Sequence, residues 1–240
     1  MSSENYFNLR FDEEQIRMTV LTNIARMFVR RGHMDFNKYK ATEKKTKTKS
    51  RVVHPENDIF DNDKFLPLVE NKSDENIYVF PMDFPIQESG KHNKKEKSSF
   101  DGSKLIIKIF NLEIKDLTNN TAVNEFMKSH PNNHKLIVFD KMTDKVYRSV
   151  RREKNIEVFE QPSLMIDLMS HEIAPIECEI IERKNIDHVK NPKFGKICEN
   201  DPVAMYYYAK EGSFLRSLIP SMNNSLEVHI NNVIEPKPYF

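Results

Sequence analysis

Hydrophobic positions along this chain fall into short runs separated by polar stretches, and the first run has helical spacing. In "DEEQIRMTVLTNIARMFVRR" (Asp12–Arg31), Ile16, Val20, Ile24, Met27 and Phe28 recur on one stripe. Acidic residues open the segment and arginines close it, which suits the helix dipole, and Gly32 is placed to end it. The next runs are compact and rich in β-formers: "IYVFP" (Ile77–Pro81), "KLIIKIF" (Lys104–Phe110), "KLIVFD" (Lys135–Asp140) and "IEVFE" (Ile156–Glu160) predict strands. Asn119–Ser129 predicts a short helix that stops before Pro131. Strands alternating with helical stretches predict an α/β arrangement for residues 1–160.

The texture changes after Glu160. "IECEIIER" (Ile176–Arg183) alternates as a strand does, "SFLRSLI" supplies another, and "LEVHINNV" (Leu226–Val233) a last one. Between them, "DPVAMYYY" opens with an N-cap aspartate, Asp201, and a proline at the first helical position, Pro202. A boundary is therefore expected near Glu160–Pro162. Residues 161–240 form a small α+β domain with a mixed sheet, long enough to be expected to fold alone. Lys40–Lys72 reads as mostly loop, broken by Pro55 and Pro67, with a short apolar piece at Phe65–Val69. Gln87–Asp101 reads as a mobile, lysine-rich insertion.

Composition narrows the function classes. The 240 residues are 38% hydrophobic and 30% charged with a mean hydropathy of −0.65, polar for a globular chain, yet 16 Phe, 8 Tyr and 11 Met leave apolar bulk for cores. A net charge of +1 gives no global attraction to nucleic acid or membrane. Positive charge is local, in Lys44, Lys45, Lys47, Lys49 and Arg51 and in "KHNKKEK" (Lys91–Lys97), where it is expected to be solvated or close to phosphate. Two cysteines, Cys178 and Cys198, form no metal-binding pair and fit a reducing compartment. No basic-then-apolar leader opens the chain and no run is apolar enough to span a bilayer, so a soluble intracellular protein with no membrane partner is expected.

Catalytic signatures are scarce. The five glycines are too far apart for a dinucleotide or P-loop fingerprint. "HEIAP" (His171–Pro175) puts proline where a zincin needs its second histidine, and "HPNNH" (His130–His134) reads as a solvated turn. Asp140 at a strand end with nearby lysines resembles a Mg²⁺-nuclease carboxylate, but the paired Glu-x-Lys on a neighbouring strand is not evident. No serine or cysteine sits in a nucleophile elbow. The element at Asp201–Tyr208 is the most definite feature left. Val203, Tyr206 and Tyr207 share one helical face, so Met205 and Tyr208 point elsewhere, and a second partner is expected to cover them.

The same residues carry a family resemblance. "DPVAMYY" (Asp201–Tyr207), "KEG" (Lys210–Gly212) and "LIPS" (Leu218–Ser221) resemble the C-terminal signature of a shared RNA polymerase subunit, the fifth subunit of the eukaryotic nuclear enzymes and its archaeal counterpart. Upstream, "FEQPSLMIDLMSHEIAPIECEI" (Phe159–Ile180) follows the family's order of a leucine-rich strand, a His-Glu-aliphatic-x-Pro turn and a strand. "IARMFVRRGHM" (Ile24–Met34) is similar to the end of its first helix. The chain departs from the family at Met205 and Ile219, where arginine is usual, and at Tyr208, where glycine is usual.

The resemblance implies an N-terminal α/β jaw domain (1–160) and a C-terminal assembly domain (161–240). It implies a non-catalytic subunit of a multisubunit DNA-directed RNA polymerase, without a cofactor, bound to the largest subunit and other polymerase subunits. The implied interface residues are His171, Pro175, Met205, Tyr206, Tyr208, Ile219 and Pro220, with Lys44, Lys45, Lys47, Lys49 and Arg51 near downstream DNA. The lost arginines, the Lys- and Asn-rich composition and the insertion point first to a large DNA virus, hence to the virion and the host cytoplasm or nucleus, and second to a divergent protist, whose version would be nuclear. The competing readings are a Mg²⁺-dependent nuclease centred on Asp140 and a free-standing DNA-binding regulator.

Overall fold

A computed structural model describes residues 11–39, 70–72, 76–86, 100–117, 121–171, 174–181, 194–220 and 226–235. Most of the long loop expected at 40–72, both lysine-rich runs and most of the insertion lie outside them. Only residues 70–72 of that loop are described, and they form a strand.

Helix α1 (Glu13–Arg30) forms where the periodicity predicts it, and both ends are set by local chemistry. Asp12 and Gln15 make a reciprocal capping box, with the Gln15 amide donating to the Asp12 carboxylate at 2.7 Å. At the other end Gly32 has φ +77°, and His33 N–H returns to the Phe28 carbonyl at 2.9 Å. A single turn, α2 (Phe36–Tyr39), follows.

The first sheet has strand order β1-β2-β3-β4-β5: β1 (Glu70–Lys72), β2 (Ile77–Pro81), β3 (Asp101–Phe110), β4 (Asn133–Phe139) and β5 (Ile156–Glu160). The β1–β2 and β2–β3 pairs are antiparallel, whereas β3–β4 and β4–β5 are parallel. Each parallel connection carries a helix, α3 (Thr121–Lys128) and α4 (Asp144–Arg151). Both pack on one sheet face through Val123, Phe126, Val146 and Val150. Helix α1 covers the other face through Val20, Ile24 and Phe28. Near-continuous burial along β4 reflects this two-sided cover.

Two expectations need correction here. The strand expected at Lys104 begins at Asp101, and Gly102 is there because a Cβ would lie 2.0 Å from the Ile86 carbonyl oxygen. The turn around His130 exists, with His130 itself at φ +49°, but His134 is not solvated: it lies in β4 and is fully buried.

The second sheet has order β6-β8-β9-β7: β6 (Glu177–Ile181), β7 (Gly195–Cys198), β8 (Phe214–Pro220) and β9 (Leu226–Ile234). It is mixed, with β7 parallel to β9 and the other pairs antiparallel. The segment between the sheets is not the leucine-rich strand implied by the resemblance. It forms α5 (Gln161–Leu164) and a 3₁₀ turn (Leu168–Ser170). Pro162 presets a helical start, and Asn23 of α1 donates to the Leu164 carbonyl at 2.8 Å, holding the helical turn in place. The chain as a whole is α+β. One core runs through both sheets: Phe28, Tyr78, Leu105 and Phe159 share it with Leu164, Met169, Leu215 and Val233.

Candidate functional site

The short helix α6 (Pro202–Tyr206) stands where α1, the first sheet and the second sheet meet. Its start is as the sequence predicts: the Asp201 carboxylate accepts from Val203 N–H at 2.9 Å, and Pro202 takes the first position. Its end is less obvious. Tyr208 N–H returns to the Met205 carbonyl at 3.0 Å and Ala209 N–H to the Ala204 carbonyl at 2.8 Å. This is a Schellman ending, which places Tyr208 in the left-handed region at φ +55°. Glycine takes this conformation without steric cost, so a tyrosine here carries strain.

The two arginines that end α1 hold this element. Arg30 bonds both carboxylate oxygens of Asp167 and donates to the Tyr206 hydroxyl at 2.7 Å. Arg31 donates from Nε to the Tyr206 carbonyl at 2.6 Å and from Nη2 to the Met205 carbonyl at 3.0 Å. These carbonyls belong to the last turn of α6, where the Met205 carbonyl also accepts from Tyr208 N–H, and a guanidinium is a fitting cap for such a helix end. Arg31 also forks onto Glu157 of β5 at 2.7 and 2.8 Å, and His134 Nε2 meets the same carboxylate at 2.7 Å. Burial alone would raise the Glu157 carboxyl, but the Arg31 charge and the hydrogen bonds from His134 and Arg31 bring it down to about 2. Burial pushes the Tyr206 phenol up to about 12, against the lowering effect of Arg30.

The faces of α6 expected to be open are used within the chain. Met205 packs on the shared core, and its sulfur lies 3.8 Å from the Tyr147 hydroxyl of α4. The Tyr208 ring meets His134 edge-on at 5.2 Å, and Lys210 Nζ stands 4.5 Å from its centre. Met205 and Tyr208 therefore do not require a second polypeptide to cover them, contrary to the pattern-based argument.

His171, Pro175, Met205 and Tyr206 do come together, around a groove of about 810 Å³. It opens at the C-terminal ends of the parallel strands β4 and β5, beside Phe139 and Glu160, the common place for a binding crevice in such sheets. Ile219 and Pro220 are elsewhere, at the end of β8. Pro220 pairs with Leu226 and Ile219 with Glu227, so they face opposite sides of the sheet. Leu218, Pro220, Leu226 and Val228 share one side, with Leu226 57% exposed, beside Glu177 and the Arg216–Glu179 ion pair on the same side. The basic residues Lys44, Lys45, Lys47, Lys49 and Arg51 lie outside the described residues. Asp140 is exposed just past β4, and no group of three His, Cys, Asp or Glu side chains among the described residues is placed to hold a metal ion. No described helix is long and apolar enough to cross a membrane.

Sequence reasoning took His134 for part of a solvated turn and missed Arg30, Arg31, Asp167 and Glu157. Only the arginine pair gave a signal, as the basic end of α1.

No family model matches the chain. It is similar to the DNA-directed RNA polymerase subunit 5 of Acanthamoeba polyphaga mimivirus, 22% identical over an alignment of 139 residues that covers 55% of this chain and 67% of that one. This distant similarity supports a relation to RNA polymerase subunits.

Proposed function

We propose that this protein is a non-catalytic subunit of a multisubunit DNA-directed RNA polymerase, docked on the largest subunit and helping to form the jaw near downstream DNA. The observation that carries the proposal is the similarity to the mimivirus subunit. A viral polymerase as the parent complex belongs to the same proposal.

The geometry indicates which surfaces to test. Contact with the largest subunit involves the groove rim at His171 and Pro175 and the end of β8 at Ile219 and Pro220. Met205, Tyr206 and Tyr208 support the docking surface from within, because each is already engaged by the chain. Met205→Asp is therefore a poor docking variant, since it would strike the shared core. Ile219→Asp changes a half-buried position near a strand end. Co-expression of the tagged chain with the cognate largest subunit should give a complex that survives purification. Ile219→Asp should weaken it at least tenfold while the circular dichroism stays that of the parent. A parent chain that purifies alone under these conditions, or that cleaves DNA with Mg²⁺ in an Asp140-dependent way, would overturn the proposal.

A further inference from the structure

The groove beside α6 has an unbalanced charge. Four carboxylates line it, those of Asp144, Glu160, Asp167 and Asp201, and no lysine or arginine does among the described residues. Two of the four are satisfied within the fold: Asp167 by Arg30 and Asp201 by the Val203 amide. Asp144 and Glu160 are exposed, and neither forms an ion pair with another described residue. Between them the floor is apolar, built from Phe139, Phe159, Leu164, Val203 and Met205. The apolar surface continues over the rim, where Ile166 is 66% exposed.

These features discriminate between classes of occupant. A phosphate backbone or an anionic lipid would meet two uncompensated carboxylates at the mouth, and like charges in a cleft repel. A small organic cation would match the charge, but it would leave Ile166 and the exposed Pro202 uncovered. An amphipathic helix meets each condition. It places a stripe of side chains at i, i+3/i+4 and i+7 into an apolar groove and leaves flanking residues at the rim. Lysines or arginines in those flanks would pair with Asp144 and Glu160.

The geometry points to this groove as the docking site for an amphipathic helix of another polypeptide, apolar on one face and flanked by Lys or Arg. The inference rests on the subunit reading only in expecting a protein neighbour at this face; the occupant's chemistry follows from the groove.

The test uses the full chain as bait for a phage-displayed library of random peptides, each about four helical turns long. Enriched peptides are then synthesised with a fluorophore and measured by fluorescence polarisation. Enriched sequences should carry apolar residues at i, i+3/i+4 and i+7 with basic flanks. Their affinity should fall at least tenfold for the Asp144→Asn/Glu160→Gln variant and for Ile166→Asp, and should weaken with added salt. All three substitutions are at exposed positions, and circular dichroism with thermal melting checks that the folds match. No enriched peptide, enrichment of acidic or unpatterned peptides, or equal binding to parent and both variants would overturn the inference. Copurification with the largest subunit is a separate readout: its failure in the parent chain counts against the subunit reading, while the peptide data judge the groove.

Discussion

At the scale of single residues, Tyr208 shows how a bulky side chain is accommodated at a left-handed position. The Schellman ending of α6 needs a left-handed residue, and a non-glycine side chain there costs about 1–2 kcal/mol. The Tyr208 ring offsets this by packing against His134 and under Lys210. The two contributions can be separated by substitution. Tyr208→Ala keeps the strain and loses the ring; Tyr208→Gly loses both. The glycine variant should therefore be the more stable of the two by about 1 kcal/mol, and both should be less stable than the parent. Urea unfolding measures the order, and an alanine variant as stable as the glycine variant would contradict the account. The position is visible in the sequence as an oddity, but its backbone conformation is not, because the ending depends on amides and carbonyls rather than on side-chain pattern.

At the scale of elements, what is legible follows from how local each signal is. Helix α1 and the cap of α6 are readable because periodicity and capping involve near neighbours. Helix α4 is not readable in this way: its eight residues are mostly charged or polar, and only Val146 and Val150 are buried against the sheet. Strand β1 is Glu-Asn-Lys, polar throughout, and is specified by its pairing with β2. The Arg31–Glu157–His134 cluster was out of reach because Arg31 and Glu157 are 126 positions apart and meet only when α1 covers the sheet. This cluster joins α1, β4, β5 and α6, and its loss should be felt as a unit. Arg31→Met strands Glu157 as a buried charge and should cost about 3–5 kcal/mol; adding Glu157→Gln should recover much of that. The pH dependence has a definite sign. The Glu157 carboxyl lies at about 2 in the fold against an ordinary 4.5, so its stabilisation is full above about 4.5 and is lost as pH falls from there toward 2. The window is worth on the order of 3 kcal/mol. Denaturant titrations at a series of pH values should show this acid slope in the parent and a shallower one in the Arg31→Met/Glu157→Gln pair; equal slopes would show that Glu157 is not the group responsible.

At the scale of the whole molecule, the change of texture after Glu160 coincides with the end of β5 and so with the end of the first sheet. The existence of two sheets was thus legible. Their mutual dependence was not, because burial of a residue by a distant element leaves no local mark. Leu164, Ala204, Tyr206, Leu215 and Val233 of the later part share one core with Val20, Phe28, Leu105 and Phe159 of the earlier part. Arg30 and Arg31 of α1 supply the charges and donors that Asp167 and the end of α6 use. A fragment from Pro162 to Phe240 would expose that apolar surface and leave Asp167 without its cation. Each large apolar side chain returned to water removes about 1.5–3 kcal/mol, and a domain holds only about 5–15 kcal/mol in total. The fragment is therefore expected not to fold cooperatively by itself, although its length alone would allow it. Adding Met1–Glu160 in trans should restore structure, because the missing surface is then available. Circular dichroism and urea titration of the fragment alone, the mixture and the full chain distinguish the outcomes: a single transition for the full chain and none for the isolated fragment are expected. A fragment with its own sharp transition and native-like spectrum would mean that the shared core is a contact between two autonomous domains.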